Sequence, residues 1–337
     1  MNKKIIILVH EGFFTQHLFE YQNINLDFVT EKLTNAGFSV EFLEYYTLAK
    51  QSYVVEREAI YWTGSHQNLD VKQYVNDILI SRFIGRDNLV PKLETVISHE
   101  NKGMQGMLAS ELGINLISQD YHCATTVPSD YLSDTVVFKS LGGAGSVGVS
   151  LAKNKQQYQR KIRMNLLLNA TLLNIKEMSK NVIRRLLKRN SQADYLRKNA
   201  RFVSQLFVKE LLFDYKVLVL GEHVYFLKRY VRKDDFRASG SGKFEFEENI
   251  SPKLIQFAFD CKDKLNVPYC SLDLIEYGQG NIGLIEFQTV HFGPYTLLES
   301  DSYYDRGALK TNMTDKTPYI YEQEIVESLL SYVKNKK

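Results

Sequence analysis

Cysteine is scarce in this sequence. Cys123, Cys261 and Cys270 are the only three in 337 residues, odd in number, scattered and never in a C-x-x-C pair. That excludes a disulfide framework and a cysteine-built metal centre, and it fits a cytoplasmic chain with free thiols. Long apolar runs are also missing. Ile5–Val9 and Val217–Leu220 are strand-sized, well short of the ~18 residues that a membrane span needs. The basic start MNKKIIILVHEGF runs into His10 and Glu11 with no small-residue cleavage site, so it reads as a first strand and not a signal peptide. No repeat and no low-complexity tract is visible. Asp and Glu are absent from the whole stretch Thr135 to Lys176.

That last absence belongs to a wider asymmetry. The formal net charge is only +3, yet residues 153–201 carry 14 Lys/Arg against Glu177 and Asp194, a local +12. The remainder holds 28 basic against 37 acidic residues, or −9. Lys176, Lys180, Arg184 and Lys188 recur every four residues beside an apolar line of Ile175, Met178, Val182 and Leu186, which is helical spacing. This segment reads either as helices with a solvated basic face or as a docking surface for an anionic glycan or a membrane surface. Nucleic acid is not expected, because aromatics do not interleave with the basic residues.

Apolar residues make up 44% and charged residues 24% of the chain, ordinary soluble usage. At ~150 residues per domain the length implies two or three domains. Lys4–Val9, a helix over 26–35 stopped by Gly37, and an alternating strand over 39–45 form a strand–helix–strand opening. That pattern predicts a parallel α/β domain. A helix over 100–112 stops at Gly113, and strands are expected over 114–118, 135–139, 206–210, 217–220 and 224–229. Gly221-Glu222 makes the last two a hairpin. A helix over 254–264, a strand pair over 271–276 and 283–287, and a final helix over 321–332 complete the reading.

Residues 143–148 read Gly143-Ala144-Gly145-Ser146-Val147-Gly148, the spelling G-x-G-x-x-G. A dinucleotide site would need a helix after it and an acidic residue about 20 positions on. Val149 onward reads as a strand, and the acid is missing. No Gly-Lys-Ser/Thr ends the run, so a P-loop is excluded too. What remains is a glycine-rich hairpin after a strand that ends in Lys139. Such a loop is either a plain turn or a set of backbone N–H groups able to wrap phosphate oxygens.

In order along the chain come Asn101-Lys102 before a helix, Gly113-Ile114-Asn115, Val137-Phe138-Lys139, the run Gly142–Gly148, Val208-Lys209-Glu210-Leu211-Leu212, Asp273, and Glu286-Phe287-Gln288. This series resembles the ATP-grasp carboxylate–amine ligases, the superfamily of D-alanine–D-alanine ligase and the ribosomal-protein glutamate ligases. The resemblance covers roughly residues 101–291. It implies an α/β (α+β) ATP-grasp fold with three parts. These are an N-terminal Rossmann-like domain over 1–98, a lid subdomain over 99–213 carrying the basic helical insertion 153–201, and a catalytic subdomain over 214–337.

The resemblance also implies site roles. Lys102, Lys139 and the loop residues Gly142, Gly143, Gly145, Ser146, Val147 and Gly148 would hold ATP phosphates. The stretch Lys209, Glu210, Leu211 and Leu212 would read adenine and ribose. Asp273, Glu286 and Gln288 would hold Mg²⁺, with Gln288 standing where the family has Asn. Arg237 would steady an acyl-phosphate, with Arg229 as a further catalytic cation. His10, Glu11, Ser239, Ser241 and His291 are candidate substrate contacts. Read singly, the lysines and arginines are equally solvated surface residues, and Asp273 and Glu286 equally a cross-strand salt-bridging pair. The stretch Asp235-Phe236-Arg237-Ala238-Ser239-Gly240-Ser241-Gly242 resembles ATP-grasp proteins encoded among surface-polysaccharide genes. It implies an amino acid joined to a sugar acid or other small-molecule carboxylate. An ATP-grasp kinase, a non-catalytic ATP-binding module and a homodimer stay open.

Overall fold

The structure is a computed structural model. It describes residues 3–14, 23–128, 135–142, 148–168, 172–232, 235–238, 240, 242–290, 292–310 and 318–335. The chain divides into two compact units: residues 1–99, 108–116 and 210–337 form the first, and residues 100–107 and 117–209 the second.

The first unit opens with β1 (Lys4–Val9), α1 (Leu26–Asn35), β2 (Ser39–Glu44), α2 (Tyr45–Leu48), β3 (Ala59–Trp62), α3 (Leu69–Phe83), β4 (Leu89–Val90) and α4 (Leu93–Ile97). The strands make a parallel sheet in the order β2-β1-β3-β4. Ile5, Ile7 and Val9 enter one apolar cluster, and Ile6 and Leu8 enter another on the opposite face. Burial on both faces is why this strand is an unbroken apolar run. Asn25 caps α1 by accepting from the Phe28 N–H, and Asn68 caps α3 in the same way.

The helix α5 (Lys102–Glu111) follows, its first residues in the second unit and its last turn in the first. The second unit then holds β5 (Gln119–Ala124), β6 (Val136–Ser140), β7 (Val149–Ala152), α6 (Lys155–Leu168), α7 (Leu172–Leu186), α8 (Asn190–Tyr195) and β8 (Ala200–Leu206). Its sheet is antiparallel in the order β5-β8-β6-β7. Phe138, Tyr158, Ile162 and Phe202 form its core under α6.

The chain returns to the first unit with β9 (Phe213–Leu220), β10 (His223–Tyr230), β11 (Phe244–Glu245), α9 (Pro252–Leu265), β12 (Tyr269–Tyr277), β13 (Asn281–Gln288), α10 (Tyr295–Glu299), β14 (Tyr303–Asp305), β15 (Ala308–Lys310) and α11 (Ile320–Asn335). The strands form a sheet in the order β13-β12-β9-β10-β14-β15, with β11 added to β10. One face buries Val217, Val219, Leu272 and Leu274 against α9. The other buries Leu218, Leu220, Tyr225 and Tyr269 with α11 and residues of β1, so the parallel and antiparallel sheets share one core. The Trp62 indole N–H donates to the Tyr269 hydroxyl at 2.7 Å inside it.

Two expected strands are absent. Residues 114–118 contribute only an isolated bridge, Leu116 to Leu284. Residues 207–210 form a turn with Glu210 at φ 58°, and the strand lies earlier, in β8. Phe207-Val208 carries strand-like side chains, but a left-handed residue at 210 breaks extended pairing.

Candidate functional site

The charged end of the large antiparallel sheet is built by strand periodicity. Asp214 and Lys216 alternate with Tyr215 and Val217 on β9, so both point away from the apolar cluster under α9. Register places Arg229 opposite Asp214, Lys216 opposite Asp273, and Glu286 opposite Asp273. Opposite charges therefore face each other across β10, β9 and β12, while two carboxylates, Asp273 and Glu286, face each other across β12 and β13. A β-bulge after Asp273 shifts the register of β12 against β13.

The contacts are close. Arg229 donates from Nε to Asp214 Oδ1 at 2.7 Å and from Nη2 to Asp214 Oδ2 at 2.9 Å. Its Nη2 also lies 3.0 Å from Asp273 Oδ2, and Lys216 Nζ lies 3.0 Å from Asp273 Oδ1. Arg229 and Asp214 are buried. Burial by itself pushes the Asp273 pKa up, but Arg229 and Lys216 outweigh it and hold this carboxyl below the usual carboxylate range. Asp214 moves the other way: burial pushes it up, Arg229 opposes, and the neighbouring Asp273 adds to the rise. Burial works against the Arg229 charge, yet Asp273 and Asp214 keep the guanidinium protonated.

Glu286 and Gln288 follow on the same face of β13. Gln288 Nε2 donates to Glu286 Oε1 at 2.9 Å, and Gln288 Oε1 accepts from His99 Nδ1 at 2.5 Å. The amide oxygen of Gln288 thus faces His99, and its nitrogen faces Glu286. Asp214, Lys216 and His99 were not among the residues the sequence singled out. A signal existed for two of them, since Asp214-Tyr215-Lys216 places alternate charges in a strand of apolar residues. Nothing local marks His99, which gains its partner 189 positions away.

Among the described residues, no group of three or more His, Cys, Asp or Glu side chains is arranged to hold a metal ion. Asp273 and Glu286 are nevertheless directly opposed hard oxygen donors. Mg²⁺ commonly takes one or two carboxylates and completes its shell with phosphate oxygens and water, so the donor chemistry of this pair fits it. Lys216 and Arg229 both pair with Asp273 in the structure.

In the second unit, Lys139 is the last but one residue of β6 and Lys102 begins α5, and both are only 4% exposed. The structure brings their segments together: the Lys102 N–H donates to the Leu141 carbonyl at 3.5 Å. β6 and β7, on either side of the glycine run, pair antiparallel, with Lys139 opposite Val149 and the Ser140 N–H donating to the Gly148 carbonyl at 3.0 Å. Gly148 has φ +75°, and a Cβ there would sit 1.9 Å from Ser140 Oγ, so glycine is required. Gly142 precedes the loop. Gly143, Gly145, Ser146 and Val147 lie outside the described residues.

The other expected residues are placed as follows. Lys209 and Glu210 are exposed in the turn before β9, and Leu212 accepts from the Val231 N–H at 2.8 Å; Leu211 lies between them. Arg237 is bound by its own loop, where Nε and Nη2 donate to the Asp235 carboxylate at 3.0 and 2.7 Å. His10 leaves the carboxyl end of β1, its ring 5.8 Å from that of His66. The N–H groups of Glu11 and Gly12 donate to the two Glu44 carboxylate oxygens at 2.9 and 2.8 Å. Ser239, Ser241 and His291 lie outside the described residues.

No protein-family model and no curated protein matches the sequence. Solved structures do match the fold. The chain is similar to a RiPP-associated ATP-grasp ligase of Chryseobacterium gregarium, in complex with ADP and a leader and core peptide, at 14% identity and a TM-score of 0.55; the match covers 98% of this chain and 96% of that one. It is similar to D-alanine–D-alanine ligase from Bacillus anthracis, complexed with ATP, at 12% identity and a TM-score of 0.50, covering 99% and 98%. D-cycloserine synthetase matches at 10% identity and a TM-score of 0.50, covering 97% and 99%. These likenesses run nearly the length of both chains, and they show the fold: the protein has the ATP-grasp fold.

Proposed function

We propose that this protein is an ATP- and Mg²⁺-dependent ligase that joins a carboxylate to an amine through an acyl-phosphate. One observation carries the reading: Asp273, held ionised by Arg229 and Lys216, stands directly opposite Glu286 on one charged sheet face of an ATP-grasp fold. The substrate carboxylate attacks the γ-phosphorus, the bond to the bridging oxygen breaks, and ADP leaves. The amine then attacks the acyl carbon, phosphate departs, and the amine loses a proton. Mg²⁺, held by Asp273 and Glu286, would supply charge neutralisation for the phosphates. Gln288 is the remaining ligand in this reading, and its amide must turn from His99 to offer its oxygen. Lys102, Lys139 and the backbone of residues 142–148 neutralise and cover phosphate oxygens. Residues 209–212 take the adenine and ribose. Arg229 keeps Asp273 ionised, and Arg237 steadies the acyl-phosphate after exchanging Asp235 for it. His10, Glu11, Ser239, Ser241 and His291 contact the substrates, an amino acid and a sugar acid or other small carboxylate.

The engagement of the Gln288 oxygen by His99 favours a second reading, a module that binds ATP without turnover. Incubation with Mg-ATP, a panel of amino acids, uronic acids and short peptides, and hydroxylamine separates the readings. A hydroxamate with ADP release supports the ligase. A phosphorylated product without hydroxamate replaces it with a kinase, and tight ATP binding without ADP release across the panel favours the module.

A further inference from the structure

The basic segment has a surface that the ATP chemistry does not use. On α7, Ile175, Met178, Val182 and Leu186 recur at helical spacing on one face, and all are exposed, Val182 at 60% and Leu186 at 78%. Ile183 widens this stripe, and Leu167 and Leu168 at the end of α6 are exposed too. The core of the unit takes in Tyr158 and Ile162 of α6 and, among the described residues, no side chain of α7. Lys176, Lys180 and Arg184 occupy the adjoining face of the same helix. An apolar stripe bordered by cations is thus presented to solvent.

Charge selects the occupant. Within residues 153–201 the 14 Lys/Arg face only two acids. Both acids are used internally: Glu177 pairs with Lys180 and Arg184, and Asp194 with Arg185. Two copies meeting through α7 would set its four Lys/Arg and one Glu, a net +3, against the same charge, so face-to-face self-association is opposed. A polyanion such as RNA matches the cations but leaves the aliphatic stripe in water, and no aromatic row is present to stack on bases. An anionic bilayer surface satisfies both faces at once, its phosphates taking the lysines and arginines and its acyl boundary the Ile, Met, Val and Leu side chains. No helix among the described residues is long and apolar enough to cross a membrane, so the contact is with the surface. We infer that α7, with the end of α6, docks the protein on anionic phospholipid bilayers.

The test is co-flotation of the full-length protein with vesicles of phosphatidylcholine alone or with added phosphatidylglycerol. Each basic side chain near an anionic surface contributes about fivefold in affinity. Wild type should float with the phosphatidylglycerol vesicles at least ~10-fold better than with neutral ones and be released by salt. Lys176→Gln with Lys180→Gln should weaken binding by about 10-fold or more. Val182→Asp with Leu186→Asp should abolish it while circular dichroism is unchanged, both positions being exposed. Failure to float, or equal flotation with both vesicle types, overturns the proposal. So does undiminished binding by the Val182/Leu186 variant, which would mark the surface as a general polyanion binder. A dimer in sedimentation velocity that the same variant dissociates would replace it with self-association.

Discussion

The charged end of the antiparallel sheet and the surface of α7 are both rich in charge, and they use it in opposite ways. Asp214, Lys216, Arg229 and Asp273 are paired across neighbouring strands, Asp214 and Arg229 buried and Lys216 and Asp273 partly so. On α7 the cations outnumber the acids, and Lys176, Lys180 and Arg185 stand in solvent while Arg184 is half-buried against Glu177. Where water is excluded, each charge needs a partner within hydrogen-bonding distance, and removing one strands another. Where water is present, a charge costs little and its field extends outward to a partner. The same residue types therefore build a positioned reaction surface in one place and an attractive surface in the other.

The sharpest way to break this contrast is Asp214→Ala. It removes the bidentate partner of the buried Arg229 and leaves it the Asp273 contact, and the expected loss is about 3 kcal/mol of stability, read by urea denaturation. Glu286→Gln comes next. It should leave the urea midpoint nearly unchanged and cut ATP-dependent product formation by at least ~100-fold; retained activity would remove Glu286 from the proposed metal pair. Gly148→Ala forces a side chain into a left-handed position against Ser140, for an expected cost of about 1–3 kcal/mol. Adding Ser140→Ala relieves the clash but not the backbone strain, so only part of that loss should return.

A smaller effect concerns pH. His223 Nδ1 lies 2.9 Å from Glu324 Oε2, and this bond raises the His223 pKa although burial opposes it. The folded state then holds the proton more tightly than the unfolded chain. This stabilisation is fully present below the ordinary histidine value of about 6.5 and is lost as pH rises through the raised folded value. The stability difference between wild type and His223→Gln, about 1 kcal/mol in acid, should shrink as pH rises past that value. The smallest effect is expected on α7, where Lys176→Gln should change stability by less than about 0.5 kcal/mol.

Local pattern made several elements legible. The apolar run Lys4–Val9, the hairpin across Gly221-Glu222, the strand pair carrying Asp273 and Glu286, and the helix with Lys176, Lys180 and Arg184 all have the expected type. The strand expected after the glycine run, in place of the helix that a dinucleotide turn needs, is present as Val149–Ala152. Other elements were not legible. β5 is Gln119–Ala124, a mixed stretch whose extended form comes from pairing with β8. Ile114–Ser118 has strand-like residues but no ladder to join beyond one bridge.

The sequence by itself determined which residues carry charge, where apolar faces repeat with strand or helix period, and that no ribose acid or following helix accompanies the glycines. These follow from residue type and spacing alone. Only the tertiary structure decided which charges meet. Asp273 is 57 positions from Lys216, and Gln288 is 189 from His99. Their pairing depends on strand register and chain crossover, which local spacing does not encode. It also decided that Tyr158 and Ile162 of α6 enter the core with Phe138 and Phe202, while Ile175, Met178, Val182 and Leu186 of α7 stay exposed; helical spacing alone is the same for both.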